Sequence, residues 1–127
     1  MISGPANFTD CTFRSNRVTN GPSFGAAIIS FGVPMRVERS YFWRNVAINM
    51  LPPGSQAATY LTQGGAIAAN MFMDATVPYD IIDCTFVENQ AATYLTQGGA
   101  IAANMFMDAS VPYDIIDCTF IENQVSR

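Results

Sequence analysis

Apolar and polar residues alternate along this chain in short bursts, and the bursts recur. In Cys84-Thr85-Phe86-Val87-Glu88-Asn89 the apolar Cys84 and Phe86 flank a polar Thr85, the two-residue period of a β-strand. The same burst stands at Cys11-Thr12-Phe13-Arg14-Ser15-Asn16, at Ser40-Tyr41-Phe42-Trp43-Arg44-Asn45 and at Cys118-Thr119-Phe120-Ile121-Glu122-Asn123. A second motif, Gly64-Gly65-Ala66-Ile67, recurs at Gly98–Ile101 and, without its second glycine, at Gly25-Ala26-Ala27-Ile28. A third, Val77-Pro78 followed by Ile81, echoes Val33-Pro34 followed by Val37. Gln90–Asn123 repeats Gln56–Asn89 with a period of 34 residues, and only Thr76 and Val87 change, to Ser110 and Ile121.

The unequal spacing of the copies separates helix from strand. The first motif begins at Cys11, Ser40, Cys84 and Cys118, at intervals of 29, 44 and 34 residues. Helical-hairpin arrays hold a fixed period, because each helix pair packs along its length. Here short segments are kept while the spacers stretch, with an insertion around Asn49–Ser55 and about five fewer residues before Val33-Pro34. Glycine and proline also cost a helix interior roughly 1 and 3 kcal/mol relative to alanine, which disfavours a tetratricopeptide-type array. The pattern predicts an all-β solenoid of three to four coils. Residues 1–127 form one segment, with degenerate coils in 1–55 and near-identical units at 56–89 and 90–123.

Stacked coils bring equivalent residues about 4.8 Å apart, which sorts positions into columns. Phe8, Val37, Ile81 and Ile115 form one inward column, and Cys11, Ser40, Cys84 and Cys118 a column of small residues. Phe13, Phe42, Phe86 and Phe120 form an aromatic column, and Val18, Ala47, Ala91 and Val125 a fourth. Thr12, Tyr41, Thr85 and Thr119 face solvent, and a bend falls at Ile82-Asp83. Asn16, Asn45, Asn89 and Asn123 recur in every copy. Asparagine tolerates the left-handed backbone of a tight turn, and its amide can bond the amide stacked on it, so an internal asparagine ladder is expected.

With these columns in hand, FxxN (Phe13-Asn16, Phe42-Asn45, Phe86-Asn89, Phe120-Asn123) alternating with GGAI (Gly64–Ile67, Gly98–Ile101) resembles the repeat of the chlamydial polymorphic outer-membrane proteins. The resemblance covers nearly the whole chain. It implies a right-handed parallel β-helix, usually the passenger of an autotransported adhesin, and an extracellular or cell-surface location. Neither a signal peptide nor a membrane barrel is visible in the sequence.

Charge adds one structural inference and removes several chemistries. The chain has 127 residues, no histidine, ten acids and six basic residues, all arginine, for a net charge of −4. The commonest general base and metal ligand is missing, and the acidic balance speaks against nucleic acid. The uncharged stretch Asn45–Met73 is broken by Pro52-Pro53-Gly54 and Gly64-Gly65, so it makes no membrane span. Cys11, Cys84 and Cys118 include no CxxC pair, so reduced packing residues are expected rather than a zinc site or a disulfide framework. Arg36, Arg39 and Arg44 of coil two stand opposite Asp80, Asp83 and Glu88 of coil three, predicting three cross-strand ion pairs. Coil four repeats the acids as Asp114, Asp117 and Glu122. Solvent screens like charges of this kind; alternatively Ca²⁺ would bridge Asp80 with Asp114, or Asp83 with Asp117, and a divalent cation or mild acid would then raise the melting temperature.

Parallel β-helices include polysaccharide lyases and hydrolases with carboxylates in a groove, and Asp74 with Asp108, or Asp80 with Asp83, suit that arrangement. Acids that recur once per coil reflect copying rather than a unique centre, so no catalytic residue is assigned. Ice binding calls for Thr-x-Thr arrays, whereas this chain has the single files Thr59/Thr93, Thr62/Thr96 and Thr85/Thr119. Asn70-Met71-Phe72-Met73-Asp74, repeated at Asn104–Asp108, reads either as a loop tucked over its own coil or as an adhesive outer face. No polar cap is evident at either end, which invites stacking on other coils or subunits, or marks a fragment of a longer solenoid. The sequence therefore reads as a structural, adhesive repeat segment of a larger extracellular surface or filament protein, acting laterally or end to end. A carbohydrate-active β-helix enzyme is the alternative.

Overall fold

In a computed structural model of the chain, the residues described are 4–19, 25–31, 33–48, 62–71, 78–92, 96–105 and 113–126. They contain strands and bends and no helix. Coil one holds β1 (Ala6–Thr9), β2 (Thr12–Arg14) and β3 (Arg17–Thr19). Coil two holds β4 (Ile28–Phe31), β5 (Met35–Glu38), β6 (Tyr41–Trp43) and β7 (Val46–Ile48). Coil three runs through β8 (Thr62–Gln63), β9 (Ile67–Met71), β10 (Tyr79–Ile82), β11 (Thr85–Val87) and β12 (Gln90–Ala92). Coil four repeats it as β13 (Thr96–Gln97), β14 (Ile101–Met105), β15 (Tyr113–Ile116), β16 (Thr119–Ile121) and β17 (Gln124–Ser126).

Each strand pairs in parallel with its equivalent one coil away. The result is three four-stranded sheets, β1-β5-β10-β15, β2-β6-β11-β16 and β3-β7-β12-β17, with β4-β9-β14 and β8-β13 beside them. This is a parallel β-solenoid. The GGAI motif leads into the β4-β9-β14 sheet, where Ile28, Ile67 and Ile101 share one register.

Two bends per coil separate the first three faces, and both use non-glycine residues at positive φ. Asp10, Arg39, Asp83 and Asp117 lie at φ 46 to 54°, and Ser15, Arg44, Glu88 and Glu122 at φ 50 to 55°. The first set is the bend expected at Ile82-Asp83. The second corrects an expectation: the left-handed residue is the one before each ladder asparagine, not the asparagine itself. A left-handed L-residue costs roughly 1–2 kcal/mol. The backbone holds it there, because the N–H of each bend in coils one to three donates to the next coil, Ser15 to Trp43 O at 2.9 Å and Glu88 to Ile121 O at 2.9 Å among them. Glycine is needed elsewhere: Gly64 sits at φ 60°, and a Cβ there would lie 1.9 Å from Ile67 O.

The core lies inside the coils. Val37, Phe42, Ala47, Ile67, Phe86 and Ala91 are fully buried, together with Cys84 and Ile81. The Phe13, Phe42, Phe86 and Phe120 rings stack at centroid distances of 4.7, 4.7 and 5.0 Å, within 7° of parallel. Face-to-face stacking is not the intrinsic preference of aromatic pairs. The strand spacing imposes it, because each ring rides its own backbone one rung further along. Met35 and Tyr79, neighbours in register, add a buried column that alternation alone did not single out.

Candidate functional site

The asparagine position carries the most specific chemistry in the molecule. Asn16 Nδ2 donates to Asn45 Oδ1 at 2.8 Å, Asn45 Nδ2 to Asn89 Oδ1 at 2.9 Å, and Asn89 Nδ2 to Asn123 Oδ1 at 2.9 Å. Each Oδ1 also accepts the backbone N–H of the preceding asparagine, at 3.2, 3.0 and 3.0 Å. The second Nδ2 hydrogen reaches back to the aromatic strand of the coil before, Asn45 to Phe13 O, Asn89 to Phe42 O and Asn123 to Phe86 O, at 3.0, 3.0 and 2.9 Å. Asn45 and Asn89 are completely buried, so the bonds form where water cannot compete. The ladder has a direction: donors point toward coil four, and acceptors toward coil one.

The small-residue column works by hydrogen bonding as well as by size. Ser40 Oγ donates to Glu38 O at 2.9 Å, and the Cys84 thiol makes the equivalent bond to Ile82 O at 3.1 Å. Cys118 and Cys11 do the same toward Ile116 O and Thr9 O, both at 3.3 Å. All three cysteines are free, and burial pushes the Cys84 thiol up, away from a reactive thiolate. Packing alone does not explain a serine here; a donor aimed at the carbonyl two residues back does.

The outer flank carries the charges. Arg36 meets Asp80 at 3.2 Å and Arg44 meets Glu88, two of the three pairs expected between coils two and three. The third pairing differs. Arg39 turns the other way and grips Asp10 of coil one with two bonds, Nε at 2.8 Å and a terminal nitrogen at 3.0 Å, while also touching Glu38. A two-bond fork onto one carboxylate outcompetes a single contact with Asp83. Extending the bend column to coil one, where Asp10 precedes Cys11, brings in Asp10 as a second candidate partner beside Asp83. The Arg39 hydrogen bonds hold the Asp10 carboxyl below its ordinary value, and Arg44 does the same to Glu88. Beside them two guanidinium groups lie over the Trp43 ring, Arg14 at 4.8 Å and Arg44 at 4.6 Å from its centroid.

The acids proposed for cation bridging are neighbours: Asp80 pairs in register with Asp114, and Asp83 and Asp117 occupy equivalent bends. Asp80, however, is already engaged by Arg36. Among the described residues no three acidic or cysteine side chains come together as a metal cage. Asp74, Asp108, Thr59, Thr93 and most of the two Met-rich stretches lie outside the described residues. An open depression of about 390 Å³ on coil four is lined by Ala100, Ile101, Ile115, Phe120 and Asn123, and no carboxylate lines it. Among the described residues no helix is long and apolar enough to cross a membrane.

Residues 83–104 match the model of the Chlamydia polymorphic membrane protein (Chlamydia_PMP) repeat. That stretch is similar to the repeat of that family. The match begins at the bend Asp83, takes in Phe86 and the ladder residue Asn89, and runs through the second GGAI motif at Gly98–Ile101. Neither curated proteins nor solved structures give a match.

Proposed function

We propose that this chain is a structural and adhesive repeat segment of an extracellular surface protein, a spacer that holds variable outward residues on a constant phenylalanine and asparagine interior. The observation that carries the reading is the contrast between columns. Inward, Phe13, Phe42, Phe86 and Phe120 are the same residue in every coil, as are the four ladder asparagines. Outward, the register neighbours Arg14, Trp43, Val87 and Ile121 pass from cation to aromatic to aliphatic along the stack. Interior constraint with exterior freedom is the logic of a scaffold, in which each repeat needs only its neighbours. The match to a membrane-protein repeat supports a surface location.

The contact face of this proposal is the flank of coils one and two, where Arg14, Trp43 and Arg44 stack and Tyr41 is exposed. Aromatic and arginine side chains dominate contact energies at protein surfaces. Beads coated with the chain should adhere to epithelial cells above albumin-coated beads. The double substitution Tyr41→Ser and Trp43→Ser should abolish most of that adhesion while leaving the strand-type circular dichroism intact. Adhesion no better than albumin would remove the adhesive role.

A further inference from the structure

We infer that the corner formed by the second bend of coils one and two binds a sulfated polysaccharide. Arg14, Arg17 and Arg44 take its sulfates, and Trp43 holds two of those arginines in place. This rests on the reading of the same flank as the contact face. Strand alternation and the bend turn these side chains outward, so their lateral exposure does not depend on a coil's place in the stack.

The way the cations are held points to an anion. Arg14 and Trp43 are register neighbours, and the Arg14 and Arg44 guanidinium carbons lie 4.8 and 4.6 Å from the Trp43 ring centroid. The two cations are thus no further apart than the sum of those distances. A guanidinium stacked on a ring keeps its N–H edge free for a second partner. Arg44 spends only Nε on Glu88, its side chain is 57% exposed, and neither terminal nitrogen has a partner among the described residues. Arg14 and Arg17 are exposed and join no ion pair among the described residues. Cations gathered on one ring repel each other, and a group with several anionic oxygens answers both with paired hydrogen bonds.

The charge map sets the shape of that anion. Along the column of Arg14 and Trp43 follow Val87 and Ile121, and along the column of Arg17 and Val46 follow Gln90 and Gln124. At the bend, Arg44 is followed by Glu88 and Glu122. The acids begin one rung from the cations, about 4.8 Å away. A nucleic-acid duplex centred on the corner, its major groove alone ~12 Å wide, would lie across those acids as well. A flat anionic membrane would meet them too. A single thin chain running round the corner, along the coil rather than along the stack, touches the cations and clears the acids.

Between the two thin polyanions, an acidic peptide and a sulfated saccharide, the surface favours the saccharide. Extended peptides dock by adding a strand to a sheet edge. Coil two offers no edge here, because β6 and β7 pair with parallel neighbours on both sides. What it offers is side chains. The exposed Ser15 hydroxyl sits between Arg14 and Arg17 along the chain and suits a sugar hydroxyl. Tyr41, 37% exposed and two residues from Trp43 on the same outward face, presents an electron-rich ring to pyranose C–H groups. A sulfate ester gives the arginine forks three oxygens where a uronate gives two, so sulfation rather than acidity alone is recognised.

Calorimetric titration of the 127-residue chain with a heparin octasaccharide tests this. Saturable binding is expected, weakening steeply with added salt. The double substitution Arg14→Gln and Arg17→Gln should weaken it about tenfold, whereas Arg36→Gln, an equal kind of charge loss on the first face, should change it less than about twofold. Trp43→Ser removes no charge, yet by releasing the guanidinium groups it should weaken binding about fivefold. Each variant should keep the strand-type circular dichroism of the parent. Desulfated heparin, hyaluronate or duplex DNA binding as tightly as heparin would overturn the proposal. So would a double variant that binds like the parent, or an Arg36→Gln that loses as much as it does. Absence of heparin binding by a chain whose coated beads still adhere to cells would overturn this ligand and leave the contact-face reading standing; beads that fail to adhere as well would remove both.

Discussion

Four hydrogen bonds converge on the buried amide of Asn89, two accepted by Oδ1 and two donated by Nδ2. Replacing it with alanine strands the Asn45 N–H and amide and the Phe42 carbonyl on the coil-two side, and takes a donor from Asn123 Oδ1 on the other. Each stranded buried group costs roughly 1–3 kcal/mol. Asn89→Ala should therefore lose about 3–5 kcal/mol in urea unfolding, and Asn123→Ala less than half of that, because water reaches the half-buried coil-four rung. Equal losses would mean that burial does not set the value of a rung. The residue before each asparagine makes a converse prediction. Ser15 is exposed at φ 55°, so Ser15→Gly relieves the left-handed penalty and loses only part of that gain to chain entropy. A gain of up to ~1 kcal/mol is expected, against a loss for the β-branched Ser15→Val, read from melting temperatures of the two variants.

The faces of the solenoid show what a sequence discloses and what it withholds. Column membership was legible because the copies sit in one chain: the residues at Phe13, Phe42, Phe86 and Phe120 occupy one register, and strand spacing converts that register directly into ring stacking. Side-chain direction was not. Whether Arg39 turns toward Asp83 or Asp10 depends on which carboxylate offers a two-bond fork, and no spacing rule encodes that. Nor does residue type say that the left-handed position is filled by serine, arginine or glutamate rather than by the neighbouring asparagine; the ladder dictates it, because Asn can enter the interior only after the chain has turned. The aromatic face yields a graded prediction. Phe86→Ala removes a fully buried ring and should cost about 3–5 kcal/mol. Phe120→Ala, already 48% exposed, should cost roughly half as much, since only half of its transfer energy is realised. Urea midpoints of the two variants measure the difference.

Over the whole molecule the flank charges decide how the stack responds to acid, and two effects oppose each other. Protonation relieves the repulsion of acids stacked between coils three and four, which favours greater stability in mild acid. It also dissolves the arginine pairs. The geometry ranks them. Asp80 is held by Arg36 and Glu88 by Arg44, so Asp114 and Glu122 face carboxylates whose charge is already neutralised, and Asp83/Asp117 has no arginine ion pair among the described residues. Direct ion contacts at about 3 Å outweigh one solvent-screened like pair at a strand spacing. Asp10 and Glu88 are both held below their ordinary values of 3.8 and 4.5, so the folded chain binds fewer protons than the unfolded chain near those values. Their contribution is complete above the ordinary values and disappears as pH falls through the lowered ones. The melting temperature should therefore stay level from neutrality to about pH 5 and decline below the Glu88 reference value of 4.5. Glu88→Gln should make that decline shallower while lowering the plateau slightly, and high salt should do the same to the wild-type curve. A melting temperature that climbs on acidification would mean that repulsion along the acid columns, not the arginine pairs across them, governs the flank.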